Sequence, residues 1–292
     1  MAKLFDDEFL KKLEYLYLLS KKIFVGKTQA QSRSKKLGWG MEFADYRNYT
    51  PGDDLRYLDW NLYARLGQLV TKLFHEEENL NVYFLLDASR SMDYGAPSKL
   101  DYGRKVVAAL AYVALSNLDS VAVMPFGRDL LPEFPLSRGK PQILKVFDFL
   151  ENLPLAEQTD LNRAVSAFIA QKRPKGLLVV VSDFWDEQGY ERALKMAYSA
   201  GYDLSAVCLH HEFEAHPKWR GTVMLTDSET GRRRQVSINP RSLRRYAREY
   251  GAYLERLKDV CHSLHCHYLY AQTKIPFEDL ILSVFRQGQF IK

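Results

Sequence analysis

Cysteine is scarce in this chain: three residues in 292, Cys208, Cys261 and Cys266. An odd, low count without a regular framework excludes a disulfide scaffold and points to a reducing compartment. No apolar run reaches the ~18 residues of a membrane-spanning helix. The longest, 108–118, reads as a core helix. The chain opens without the basic region of a signal peptide, since Phe5-Asp6-Asp7-Glu8 puts acids there. The expectation is a cytoplasmic protein with no membrane span. Excess charge of one sign is small, a formal +5, which permits acidic partners without demanding nucleic acid. No internal repeat is visible, and no Ser/His/Asp or Cys/His set is placed for nucleophilic catalysis. Nucleotide loops are missing too. Gly26-Lys27-Thr28 echoes the end of a phosphate-binding loop, but Lys21 stands where its first glycine belongs, and Gly38-Trp39-Gly40 has Phe43 in place of a third glycine.

What is present is an ordinary globular composition, 47% hydrophobic and 26% charged. Apolar positions Phe9, Leu10, Leu13, Leu16 and Tyr17 predict a helix over residues 4–20, and the polar, glycine-bearing stretch 26–40 predicts a loop. Residues 41–80 have no clear period. From Val82 the chain alternates. Short apolar runs at 82–86, 121–126, 177–182, 204–209 and 268–271 predict strands buried on both faces. Between them, helical stripes run through Leu100–Ala114, Ile143–Leu150, Leu161–Phe168, Leu243–Leu264 and Phe277–Phe285. Alternating β and α units predict an α/β fold with a mostly parallel sheet and helices on both faces. Residues 221–238 break the rhythm and predict a β-hairpin insertion. The expected organisation is an N-terminal helical and irregular extension over 1–80 and a domain over 81–292.

The first strand runs into Asp87, Ser89 and Ser91, an Asp-x-Ser-x-Ser motif. In an open parallel sheet, ligands bind beyond the carboxyl ends of the strands. Asp183 follows the strand 177–182, and Thr159 precedes the helix opened by Asp160 and Leu161. These five residues supply oxygen only, two carboxylates and three hydroxyls. Such a set selects a hard cation, Mg²⁺ first, with Mn²⁺ or Ca²⁺ as alternatives. It leaves the ion electrophilic, so an Asp or Glu of a partner can complete the shell. The bland alternative is that Asp87 and the serines cap the next helix. Cys261, His262, His265, Cys266 and His267 are a weaker zinc candidate, because Cys261 and Leu264 continue an apolar stripe.

The segment from Val82 to about Phe285, with its Asp87-x-Ser89-x-Ser91 motif, resembles a von Willebrand factor A-type domain and its metal-ion-dependent adhesion site. Upstream, Gly40-Met41-Glu42-Phe43-Ala44-Asp45-Tyr46-Arg47, then Pro51-Gly52-Asp53-Asp54-Leu55-Arg56, Asp59-Trp60 and Ala64-Arg65 resemble a narrower bacterial family, domain of unknown function fifty-eight. That resemblance implies a non-enzymatic, adaptor-like or chaperone-like interaction module working with a MoxR-type AAA+ ATPase in protein maturation or assembly. Phe184 departs from the glycine often found after the third-loop Asp. In the upstream stretch, Asp45, Arg47, Asp53, Asp54, Arg56, Asp59 and Arg65 can pair under interleaved aromatics. They form either a structural clamp or a second docking surface. The alternatives for function are a metal-dependent hydrolase, with Asp186 beside the ion to activate water, and nucleic-acid binding through Arg232–Arg234 and the Arg241–Arg248 face.

Overall fold

Apolar residues at helical spacing build the first helix, α1 (Asp7–Ala30). The computed structural model describes residues 4–30, 37–38, 42–75 and 80–287. The loop expected from Gly26 begins later, because α1 carries Gly26 inside it and runs to Ala30. Lys27, Gln29 and Ala30 favour a helix strongly enough to absorb one glycine. Trp39 and Gly40 of the triplet 38–40, and the start of the upstream motif, Gly40 and Met41, lie outside the described residues.

Two compact units divide the chain. One spans residues 22–79. Here β1 (Leu37–Gly38), β2 (Glu42–Asn48) and β3 (Val70–His75) form an antiparallel sheet in the order β1-β3-β2, with α2 (Trp60–Leu66) between β2 and β3 in sequence. Asp59 caps α2, accepting the N–H groups of Asn61 and Leu62 at 3.0 Å each, and Gly67 ends it at φ 64°, a left-handed position suited to glycine.

The other unit comprises residues 1–21 and 80–292. Residues 1–21 therefore differ from the expected division, which grouped them with the extension. The reason is aromatic packing. Phe5 lies 5.0 Å from Phe147 and Phe9 lies 5.0 Å from Phe277, centroid to centroid, and Leu13 and Leu16 are buried.

Along this unit run β4 (Asn81–Asp87), α3 (Lys99–Ser116), β5 (Ser120–Phe126), β6 (Phe134–Arg138), α4 (Ile143–Glu151), α5 (Leu161–Ala170), β7 (Leu177–Ser182) and α6 (Glu191–Ser199). They continue with β8 (Asp203–His210), α7 (Glu212–Ala215), β9 (Gly221–Thr226), β10 (Arg233–Ile238), α8 (Pro240–Ser263), β11 (His267–Gln272) and α9 (Phe277–Gln287). The sheet order is β11-β8-β7-β4-β5-β6, parallel throughout except for the β5–β6 pair. The first strand sits centrally and an antiparallel strand closes one edge, which is the von Willebrand A-type, Rossmann-like arrangement. β9 and β10 form the separate hairpin, pairing Gly221 with Ile238 through Thr226 with Arg233.

Both sheet faces are covered. Tyr83, Leu85, Leu178 and Val180 pack with Phe168, Leu194 and Leu257 on one side. α3 covers the other so closely that a Cβ on Gly103 would stand 3.2 Å from the side chains of Leu86 and Leu209. Among the described residues, no helix is long and apolar enough to cross a membrane.

Candidate metal centre

The chain leaves β4 toward β5 on one side and returns through β7 on the other, so a crevice opens beyond the carboxyl ends of β4 and β7. Asp87 is the last residue of β4, and Asp183 follows β7 directly. Both are fully buried, as is Ser89. The third piece, the loop before α5, is tied to the first two by backbone bonds. Ala156 N–H donates to Ala88 O at 2.7 Å, and Asp160 N–H donates to Gly127 O at 3.1 Å. That approach requires glycine at 127, where a Cβ would meet the Ala156 Cβ at 2.3 Å. Thr159 is thereby held over Asp87.

All five residues expected from the sequence come together. Ser89 and Ser91 hydroxyls share a 3.0 Å hydrogen bond. Ser91 Oγ donates to Asp183 Oδ2 at 2.9 Å, and Thr159 Oγ1 donates to Asp87 Oδ2 at 3.3 Å. Ser182 Oγ adds a 2.7 Å bond to the same Asp87 oxygen. Capping does not account for the motif. Ser89 makes no side-chain cap bond, and the cap of α3 is Ser98, accepting from Asp101 N–H.

Sequence reasoning missed three charged members. Lys99, 1% exposed, donates from Nζ to Asp183 Oδ2 at 2.7 Å and to Glu214 Oε1 at 2.5 Å. Glu229, from the β9–β10 turn, accepts the Thr159 N–H at 3.2 Å. Glu214 comes from α7. Lys99 did carry a signal: with Gly103, Val106, Val107 and Leu110 it heads the buried stripe of α3, a place where lysine needs an anionic partner. Glu214 and Glu229 carried none.

The electrostatics separate the two aspartates. Burial, then the charge of Asp183, raises the Asp87 carboxyl to about 6. Burial also pushes Asp183 up, but the charge and hydrogen bond of Lys99 outweigh it and leave its pKa lowered. Burial alone would lower the Lys99 pKa. The carboxylates of Asp183 and Glu214 reverse that and raise it. Glu229 is raised to about 7, first by burial and then by Asp87 and Asp183. The ammonium of Lys99 thus serves Asp183 and Glu214, while Asp87 and Glu229 are raised by burial and by like charge.

The donor set fits a hard cation. It is all oxygen, and Glu229 Oε1 is a buried acceptor without a hydrogen-bond partner among the described residues. Among those residues, no group of three or more His, Cys, Asp or Glu could hold a metal. An ion here would therefore depend on the hydroxyls. Cys261 and Cys266 are free, buried core residues.

The loop after β7 is held by Phe184 in the left-handed region, φ 59°, where glycine would rest without strain. Phe184 stays because it is 1% exposed against Tyr190 and because its N–H donates to Ser182 Oγ at 2.9 Å. Strain there costs about 1–2 kcal/mol, whereas emptying a buried Phe site costs about 3–5 kcal/mol. Phe184→Gly should thus lose about 2 kcal/mol in urea unfolding; a gain in stability would refute this balance. Asp186, the candidate water activator, spends Oδ2 on Leu161 N–H at 2.8 Å and Oδ1 on Gln188 N–H at 2.7 Å. That is loop construction.

In the 22–79 unit the expected pairs are local. Arg47 meets Asp53 at 2.7 Å and Arg56 meets Asp54 at 2.6 Å, with the Arg56 side chain 80% exposed. Asp45 accepts the Tyr46 N–H, and Arg65 lies in the last turn of α2. Asp59 is the hub: it also accepts the Tyr46 hydroxyl at 3.0 Å and pairs with Lys72 at 3.1 Å. Its carboxyl is held at about 2, chiefly by the Leu62 N–H. Tyr46, Trp60 and Tyr63 are exposed.

A family described as "Protein of unknown function DUF58" matches residues 45–254. The chain belongs to that family. This DUF58 chain is similar to the uncharacterized protein Rv1480 of Mycobacterium tuberculosis, 26% identical over 208 residues, 70% of the chain and 65% of the relative. It therefore spans less than two thirds of the length of that relative. Among solved structures, it resembles the conserved hypothetical protein BatB of Bacteroides thetaiotaomicron, with TM-score 0.46, 15% identity, 73% of this chain and 98% of that one. It also resembles the VWA domain of SpRpn10, with TM-score 0.40, 15% identity, 70% of this chain and 95% of that one.

Proposed function

We propose that this DUF58 chain is a cytoplasmic, metal-dependent protein-interaction module. The observation that carries the reading is the single hydrogen-bonded cluster of Asp87, Ser89, Ser91, Thr159 and Asp183 at the carboxyl ends of β4 and β7. Asp87 and Asp183 would supply charge, and Ser89, Ser91 and Thr159 neutral oxygens. Bound Mg²⁺ would supply an electrophilic centre that a partner's carboxylate can join. Lys99 keeps Asp183 ionised and fixed in the absence of an ion. A cavity of about 740 Å³ opens onto Ser91, Thr159 and Asp183, with Trp185 and Tyr246 on its wall, and gives the partner's flanking residues room. The partner class, a MoxR-type AAA+ ATPase or its client, rests on the family resemblance. Exposed Trp60, Tyr63 and Arg56 favour the docking alternative for the upstream motif.

Affinity capture from the source lysate, run with Mg²⁺ and with EDTA, tests the reading. An AAA+ ATPase retained only with Mg²⁺ is the expected result, and the same proteins in both lanes would sink it. The cation must also compete with protons. Asp87, with its carboxyl near 6, takes one up below that pH. Mn²⁺ affinity measured by calorimetry should fall by about tenfold per pH unit below pH ~6. A flat profile from pH 5 to 8 would exclude Asp87 as a ligand.

A further inference from the structure

The hairpin of β9 and β10 stands outside the strand–helix rhythm, yet its turn ends at the oxygen cluster. Asp227 builds that turn. Its Oδ1 accepts the N–H of Glu229 at 3.0 Å, the N–H of Thr230 at 2.6 Å and the Thr230 hydroxyl at 2.8 Å. The backbone closes through Asp227 N–H to Arg232 O at 2.8 Å. With its backbone so fixed, Glu229 reaches 70 residues back to Thr159, whose N–H donates to Oε2 at 3.2 Å. Its other oxygen, Oε1, is buried and has no partner among the described residues. Glu229 lines the same cavity as Ser91, Thr159 and Asp183.

A buried carboxylate oxygen without a donor is unfavourable. Lys99 does not relieve it, since Nζ is engaged by Asp183 and Glu214. Asp87 and Asp183 add like charge. What Glu229 Oε1 lacks among the described residues is a donor or a positive centre.

We infer that Glu229 is the chain's own acidic ligand for this site: its carboxylate takes the place in the cation's shell that a partner's Asp or Glu would take, and the hairpin turn withdraws when an acidic partner docks. This rests on the metal reading above. A tethered carboxylate acts at an effective concentration near millimolar, so a weak external acid is kept out while a high-affinity partner enters. The hairpin becomes the element that sets the threshold for docking. Glu229 is not needed for the fold itself. Its turn is surface-exposed and is closed by Asp227 and Thr230, which the substitutions below leave intact.

The test uses the full chain as wild type, Glu229→Gln, Glu229→Asp and Asp87→Ala, with Mn²⁺ as the probe. Calorimetry reads affinity, and amide hydrogen exchange reads the hairpin, residues 221–238, with and without Mn²⁺. Mn²⁺ should slow exchange in the wild-type hairpin. Glu229→Gln should bind Mn²⁺ roughly tenfold more weakly, and its hairpin exchange should ignore the ion. Glu229→Asp, one methylene short, should behave like the Gln variant. If Asp87→Ala abolishes binding while both Glu229 variants bind as wild type does, the metal reading stands and Glu229 is not a ligand. A wild-type hairpin whose exchange Mn²⁺ leaves unchanged overturns the inference in the same way. Absence of Mn²⁺ binding by the wild type overturns both.

Discussion

Lys99→Met should destabilise the cation-free protein by about 3–5 kcal/mol, the cost of removing one partner of a buried ion pair. The side chain is 1% exposed, and methionine fills much of its volume, so cavity formation contributes little. What remains is Asp183, fully buried, with Ser91 Oγ on one oxygen and Trp185 N–H on the other. Those two bonds place the loss toward the lower end of the range. At about 2–4 °C per kcal/mol for a chain of this size, the melting temperature should fall by about 10 °C. The pH dependence identifies the cause. The raised Lys99 pKa means its contribution is complete below its ordinary value of 10.5 and is lost only as pH rises above it. The loss is therefore present throughout the neutral range. Millimolar Mg²⁺ should restore part of it, because Asp87 and Asp183 then face no competing ammonium. Melting curves with Mg²⁺ and with EDTA at pH 7 decide the matter. A loss under about 1 kcal/mol, or one that Mg²⁺ leaves unchanged, would mean that Lys99 is not the counter-charge of this site.

The strands were legible because burial on both faces writes a continuous apolar run. Residues 177–182 were expected and found, and 82–86 lies within β4. β6 escaped for the opposite reason. It is an antiparallel edge strand, Phe134-Pro135-Leu136-Ser137-Arg138, with only Phe134 buried, and proline at an edge reads as a turn. α6 escaped because its buried positions are Ala193, Leu194 and Ala197, and two alanines make a faint stripe. In the 22–79 unit the strands β2 and β3 mix charge with aromatic residues, so no period marked them. The oxygen cluster was legible because topology fixes where strand ends meet: Asp87, Ser89, Ser91 and Asp183 lie at or just beyond such ends, and Thr159 stands in the loop before α5. Glu214 and Glu229 were not legible. They arrive from a four-residue helix and a hairpin turn, by contacts across sequence separations of 115 and 70 residues that no local period encodes.

Asp87→Asn should separate stability from function. Asn can keep the local bonds. Its oxygen can accept the Ser89 N–H that Asp87 Oδ1 now accepts at 3.0 Å. The hydroxyls of Ser182 and Thr159, now donors to Oδ2, can rotate to accept from the amide. The variant loses the charge beside Asp183. In the wild type the Asp87 carboxyl is raised from 3.8 to about 6, so the folded state holds a proton more tightly than the unfolded chain. Stability falls as pH rises through that window and stays lower above it. That rise corresponds to ~3 kcal/mol at pH 7, of which the weaker acceptor strength of the amide takes back a part. Without cation, Asp87→Asn should therefore be more stable than wild type at pH 7 by ~1–3 kcal/mol, and nearly equal to it at pH 4. With Mg²⁺ the order should reverse, since only the wild type gains from binding, by ~4.1 kcal/mol at a thousandfold excess over the dissociation constant. Urea unfolding at both pH values, with Mg²⁺ and with EDTA, gives the four numbers. A crossing of the two proteins on adding Mg²⁺ at pH 7 is the signature of a residue kept for its ligand at the expense of the empty fold. Curves that do not cross would return Asp87 to a purely structural role.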